Sequence, residues 1–188
     1  MRLSELTEAN LNASQQALLE TIRSGPRGAQ HGKLGLVGPF GVWVRAPHVG
    51  DPVQALGAAL RYGTGLAENV KEVAICTVGA HHKAEFEFAA HRRLALQAGV
   101  DEAALEALAE GVEPQLAGDE ALAHRVATSL LQAHRLDDDT YAAALAAFGE
   151  SGVIELVSVI GYYVLVALTL NAFEVPLTAG MTSPFPEG

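Results

Sequence analysis

The chain has 188 residues, 49% of them hydrophobic, which is enough for one sizeable core and calls for no second domain. Its 12 Lys and Arg against 22 Asp and Glu give a net charge of -10, with Arg92 and Arg93 the only adjacent basic pair, which argues against a nucleic-acid-binding face. The single cysteine, Cys76, excludes an internal disulfide framework, and with no leading basic and apolar segment the expected location is cytoplasmic.

Residues 1–12 are polar. Ser14 is expected to open a helix through Gln16, Leu18, Leu19 and Ile22, which Gly25 and Pro26 stop. From 25 to 42 the glycines and Pro39 predict a long loop without regular structure, folded over the core. Phe40 and Trp43 anchor it, because a large aromatic pair has to bury, and both are candidate walls of a pocket. Asp51 reads as the N-cap of a helix through Val53, Leu56, Leu60 and Tyr62, closed by Gly63 and Gly65.

Residues 66–80 read as a helix that carries Glu72 and breaks near His81. Residues 84–98 form the next one, with Phe88, Leu94, Ala95 and Ala98 at apolar positions and Gly99 as its C-cap. Asp101 caps a short helix over 102–109, 111–118 is a connector, and Asp119 begins a helix to 134. Asp138 or Thr140 caps another to 148, and 149–152 turns the chain.

Residues 153–173 are almost wholly apolar. Their length suits a bilayer, but Glu155 sits in the first turn, Ser158, Gly161, Thr169 and Asn171 interrupt the run, and no basic cluster flanks it. A fully buried central helix is the expectation, with no membrane as partner. Such a helix must be covered all round, which a chain this small can scarcely do alone, so a homo-oligomer is expected. Tyr162 and Asn171 are polar features of this helix that either satisfy each other or line a pocket. Residues 175–188, with three prolines, form an extended tail.

The densest group of residues able to do chemistry is Glu72, His81, Glu87 and His91. Glu87 and His91 are four apart on one helix, so they project from one face, where a carboxylate can orient an imidazole and raise its basicity. Two short helices meeting at an angle would bring Glu72 and His81 up to that face. The plainer reading of the pair is a surface contact worth a few tenths of a kcal/mol. His81, Glu87 and His91 also make up two imidazoles and a carboxylate, a set that suits zinc or iron.

The string F-E-F-A-A-H followed by R-R-L-A-L-Q-A-G-V, over 86–100, resembles the signature of the carboxymuconolactone decarboxylase family. The similarity extends through Glu72 and 105–108. It takes in G-P-F-G-V-W at 38–43, Gly161-Tyr162-Tyr163 and L-N-A-F-E-V-P at 170–176, as in a longer single-chain subgroup. The resemblance implies an all-α bundle of the alkyl hydroperoxidase D-like kind over 1–188. Its core motif would lie at 66–110, the N-terminal helix and loop at 1–50, the apolar helix at 153–173 and the tail at 175–188. Subunits would associate through the apolar helix as dimers, trimers or hexamers.

It also implies a cofactor-free lyase acting on a small carboxylated lactone or related acid, and needing no metal. His91 would be the general acid or base, Glu87 its orienting partner or a second proton carrier, and Glu72 a positioning group. His81 would bind the substrate carboxylate, and Phe40, Trp43, Tyr162 and Asn171 would contact substrate. The same superfamily contains thiol peroxidases, whose motif has a Glu, Cys-x-x-Cys and a His. Aligned on His91, Glu72 takes the place of the motif glutamate and Ala84 and Glu87 the places of the two thiols. A peroxidase is thus the alternative that lacks its cysteines, and a metal-binding or non-catalytic protein of the same fold is another.

Overall fold

A computed structural model describes residues 1–31 and 35–186. Among these the chain is all-α, as expected, with no strand. The helices are Ala13–Ser24 (α1), Pro26–His31 (α2), Gly38–Trp43 (α3), Pro47–Tyr62 (α4), Glu68–His81 (α5), Glu85–Gln97 (α6), Glu102–Glu110 (α7), Gly118–Ala133 (α8) and Asp138–Ala172 (α9).

Asn12 caps α1: its side chain accepts from the Gln15 amide at 3.0 Å, and the Gln15 side chain answers on the Asn12 amide at 3.0 Å. The cap thus lies two residues before the expected start at Ser14. The loop expected over 25–42 instead contains α2 and α3, with residues 32–34 outside the described part. Pro26 opens α2 and Pro39 lies in the first turn of α3, where a missing N–H costs nothing. The prolines taken as breakers are therefore starters.

The same reversal moves the start of α4. Asp51-Pro52 has the look of an N-cap followed by a first helical residue, but Pro47 gives that signal a turn earlier. Asp51 instead accepts from Gln54 Nε2 at 3.2 Å, and Pro52 lies inside the helix.

α5 is the axis of the fold. Every residue from Val70 to Gly79 is buried, with α6, α7, α8 and α9 packed around it. A tight turn through Lys83, at φ 50°, returns the chain as α6, and the Ala84 amide bonds to the Gly79 carbonyl at 2.9 Å. The helices cross closely at Gly79, where a Cβ would stand 3.3 Å from the Phe88 backbone nitrogen. That crossing sets Glu72 of α5 against the face of α6.

Asp137, rather than Asp138 or Thr140, caps α9, accepting from the Thr140 amide at 2.8 Å. The expected turn near 149 narrows to one residue: Gly149, at φ 68° and ψ 174°, kinks the helix, which then runs on to Ala172. The helix beyond it is long and apolar enough to cross a membrane by length and composition, with half of its most apolar window buried within the chain. It is thus not covered all round as expected. Leu156, Ile160, Tyr163 and Ala167 face the core, whereas Ile154, Val157, Leu165 and Leu168 are exposed.

The tail is pinned to α6. Ser183 Oγ bonds to Glu85 Oε1 at 2.6 Å, and the Phe185 ring lies 5.2 Å from that of Phe88. The last two residues lie outside the described part.

Candidate active site

Glu72 is fully enclosed, yet it carries two polar partners from two other helices. Its Oε2 lies 2.7 Å from His91 Nδ1 on α6, and its Oε1 accepts from Arg61 Nη1 at the end of α4. Arg61 also reaches Glu68 Oε1 at 3.1 Å, and Lys71 Nζ donates to the Arg61 carbonyl at 3.0 Å. Burial alone would raise the Glu72 carboxyl, but His91 and Arg61 hold it below the usual glutamate range. Glu72 is therefore a carboxylate, which can only accept. The hydrogen between the two sits on His91 Nδ1, which leaves Nε2 as the ring nitrogen not engaged by Glu72 in a residue that lines the cavity.

Glu87, four residues before His91, has the opposite environment. It is 2% exposed, and neither carboxyl oxygen has a hydrogen-bond partner among the described residues. Burial pushes its pKa well above the usual value and so favours the protonated, neutral form. The orienting partner of His91 is thus Glu72 and not Glu87. Side chains four apart on a helix project side by side, whereas the close crossing of α5 and α6 points Glu72 at the ring nitrogen.

Glu87 and His91 line a cavity of about 280 Å³. One wall is a run of aromatic rings. Phe40 meets Trp43 edge-on at 5.7 Å between centroids, Trp43 lies 6.3 Å from Tyr162, Tyr162 meets Tyr163 at 5.3 Å, and Tyr163 meets His91 at 4.8 Å. Burial raises the Tyr162 phenol to about 12 and Tyr163 well above its usual value, so both stay neutral donors. Arg27 and Arg61 add two cations to the lining, and Arg93, exposed, adds a third.

Of the residues expected at the site, Glu72, Glu87, His91, Phe40, Trp43 and Tyr162 are thus brought together, Glu72 as the support behind the ring. His81 and Asn171 are not. His81 is exposed beside His82, next to a groove shared with Glu113 and His124. Nine residues separate it from Glu72, which is two and a half helical turns, so it points the other way. Asn171 is also nine residues from Tyr162, and its Nδ2 donates to the His82 carbonyl at 2.7 Å, tying α9 to the turn after α5. With His81 turned away, the two-imidazole, one-carboxylate ligand set does not assemble.

Arg61 and Arg27 were not legible as site residues. Arg61 belongs to a different helix from its partner, and Arg27 lies in the stretch expected to be loop. Cys76 is completely buried in α5, and burial raises its thiol well above the usual value. Comparison with protein-family models finds no match, and comparison with curated proteins finds none either.

Glu87→Gln keeps the shape of the side chain and removes its titration. An acid whose pKa is raised by folding contributes stability that is full below the unfolded value of about 4.3 and is lost as pH rises through the folded value. Urea unfolding is therefore expected to show the variant more stable than wild type at about pH 8, with the gap closing toward about pH 4.5.

Proposed function

We propose that this cavity is the active site of a cofactor-free lyase of the carboxymuconolactone decarboxylase type, working by acid–base catalysis on a small carboxylated lactone or related unsaturated acid. The observation that supports it best is the pairing of Glu87 and His91. An acid that keeps its proton and an imidazole oriented by a buried carboxylate share one small aromatic cavity.

Decarboxylation breaks the bond between the carboxylate and its carbon. The electron pair passes into the conjugated carbonyl as an enolate, and carbon dioxide leaves. The site must then hold the enolate and close the carbon with a proton. Glu87 has that proton to give. It is almost out of reach of water, so it is recharged through a neighbour. His91, on the same face one turn along and partly exposed, is that relay, with Glu72 and Arg61 fixing its tautomer. The neutral Tyr162 and Tyr163 phenols are further donors on the same wall.

The test is carbon dioxide release from freshly made 4-carboxymuconolactone. Release that depends on the folded chain supports the reading, and none above background overturns it for this substrate. An alkyl hydroperoxidase D-like peroxidase is the weaker alternative. It needs an accessible thiolate, and Cys76 is a buried thiol held in its neutral form.

We also propose that copies of the chain associate through the uncovered face of α9. Ile154, Val157, Leu165 and Leu168 recur along one side of it, and each is worth about 1.5–3 kcal/mol when fully buried. Light scattering is expected to find an assembly larger than one chain, which Leu165→Lys with Leu168→Lys reduces to monomers. A monomeric wild type would end this part of the proposal.

A further inference from the structure

Arg27 is an unusual lining residue. It is 7% exposed, and a cation removed from water is costly unless an anion meets it. Among the described residues no Asp or Glu pairs with it. Its Nη1 donates to the Gln54 carbonyl at 2.8 Å and stands 3.5 Å from Gln54 Oε1, and its guanidinium lies 5.3 Å from the centre of the Phe40 ring. These contacts fix the plane of the group and leave its charge unmatched. The Nε and Nη2 hydrogens have no acceptor among the described residues, and Arg27 is one of the residues that line the cavity.

The neighbouring backbone makes room at this point. A Cβ on Gly57 would fall 2.0 Å from the Tyr162 hydroxyl and 2.5 Å from Arg27 Nη2, so only a glycine there lets the phenol and the guanidinium lie side by side. Two donors, one of them charged, thus converge at one end of an aromatic cavity.

We infer that Arg27, with the Tyr162 hydroxyl beside it, is the anchor for a carboxylate of the ligand. The guanidinium fork matches a carboxylate in two parallel hydrogen bonds, which selects a flat oxyanion over a neutral isostere of the same size. On the lyase reading, on which this next step rests, the anchored carboxylate is not the one that is lost. Charge drains from the departing group as the bond breaks, so a cation gripping it would stabilise the ground state more than the transition state. The substrate therefore carries two carboxylates: one held by Arg27, the other directed to Glu87, which lines the same cavity.

The anchor is tested by equilibrium binding, without turnover. Titration of the full chain with 2-furoate, a small flat monocarboxylate, is followed by calorimetry and by the fluorescence of Trp43, the only tryptophan. Wild type is expected to bind 2-furoate and to discriminate against 2-furamide, its neutral counterpart. Arg27→Gln is expected to weaken 2-furoate by about 10–100-fold, the range set by loss of a charged hydrogen-bonding partner. Arg27→Lys, which keeps the charge but not the fork, should fall between, and serves alone if the Gln variant does not fold.

No binding by wild type, equal binding of acid and amide, or unchanged affinity in both Arg27 variants would overturn the inference. Arg27-dependent furoate binding without carbon dioxide release would leave the anchor standing and remove the decarboxylase reading. Carbon dioxide release with an unchanged KM in Arg27→Gln would do the reverse.

Discussion

Glu72→Ala is expected to destabilise the chain by about 3–5 kcal/mol, because it leaves Arg61, a mostly buried cation, beside an empty socket with only the exposed carboxylate of Glu68 to pair with. For a chain of this size that corresponds to a fall in Tm of about 6–20 °C, readable by calorimetry or by circular dichroism. The comparison that gives the number its meaning is Glu72→Leu combined with Arg61→Leu. Removing both charges takes away the attraction and the burial cost together, so the double variant should recover much of the loss. Equal damage in the single and double variants would mean that packing, and not charge, is what Glu72 supplies. Recovered stability should come without recovered chemistry, since His91 would have lost the group that fixes its tautomer.

His91→Ala should show the opposite profile. Glu72 keeps Arg61 as a partner, so the fold survives, while kcat for carbon dioxide release falls by about 10²–10⁴-fold, the usual contribution of a positioned proton-transfer group. Glu87→Gln should lose a comparable factor while gaining stability at alkaline pH. The pH profile of the wild type follows from the same two environments. Activity is lost on the alkaline side as Glu87 gives up its proton above the ordinary carboxyl range, and on the acid side as Glu72 is protonated below it. Both limbs report the coupled set rather than single residues. In Glu87→Gln the alkaline limb should vanish from whatever rate remains, and its survival there would assign that limb to another group.

The all-α architecture and most of the site were legible in the sequence because they depend on short-range periodicity. Glu87 and His91 share a face of one helix, and Glu72 lies on the helix before it, with one tight turn between. Periodicity also explains what was misplaced. His81 and Asn171 each stand nine residues from a true lining or supporting residue, and closeness along the chain concealed half a turn of rotation. Whether Glu87 orients His91 or carries a proton was left open by the sequence, because it is decided by how closely two helices cross.

Arg61 and Arg27 come from helices before the motif. What they do depends on tertiary contacts that leave no local pattern. The prolines at 26, 39 and 47 were ambiguous for another reason: the ring that ends one helix is well suited to begin the next.

Gly79 has no side chain, yet it acts as the spacer between the helices that carry Glu72 and His91. It lies two turns from Glu72 on the same side of α5, at the point where Phe88 of α6 comes within 3.3 Å of where a methyl group would sit. Any side chain there wedges the two helices apart by a few tenths of an ångström. The 2.7 Å bond between Glu72 and His91 is the contact such a wedge would stretch first, because it is the bridge between the same two rods. The span between a carboxylate and an imidazole is thus gauged by an absent carbon atom, several residues from either group.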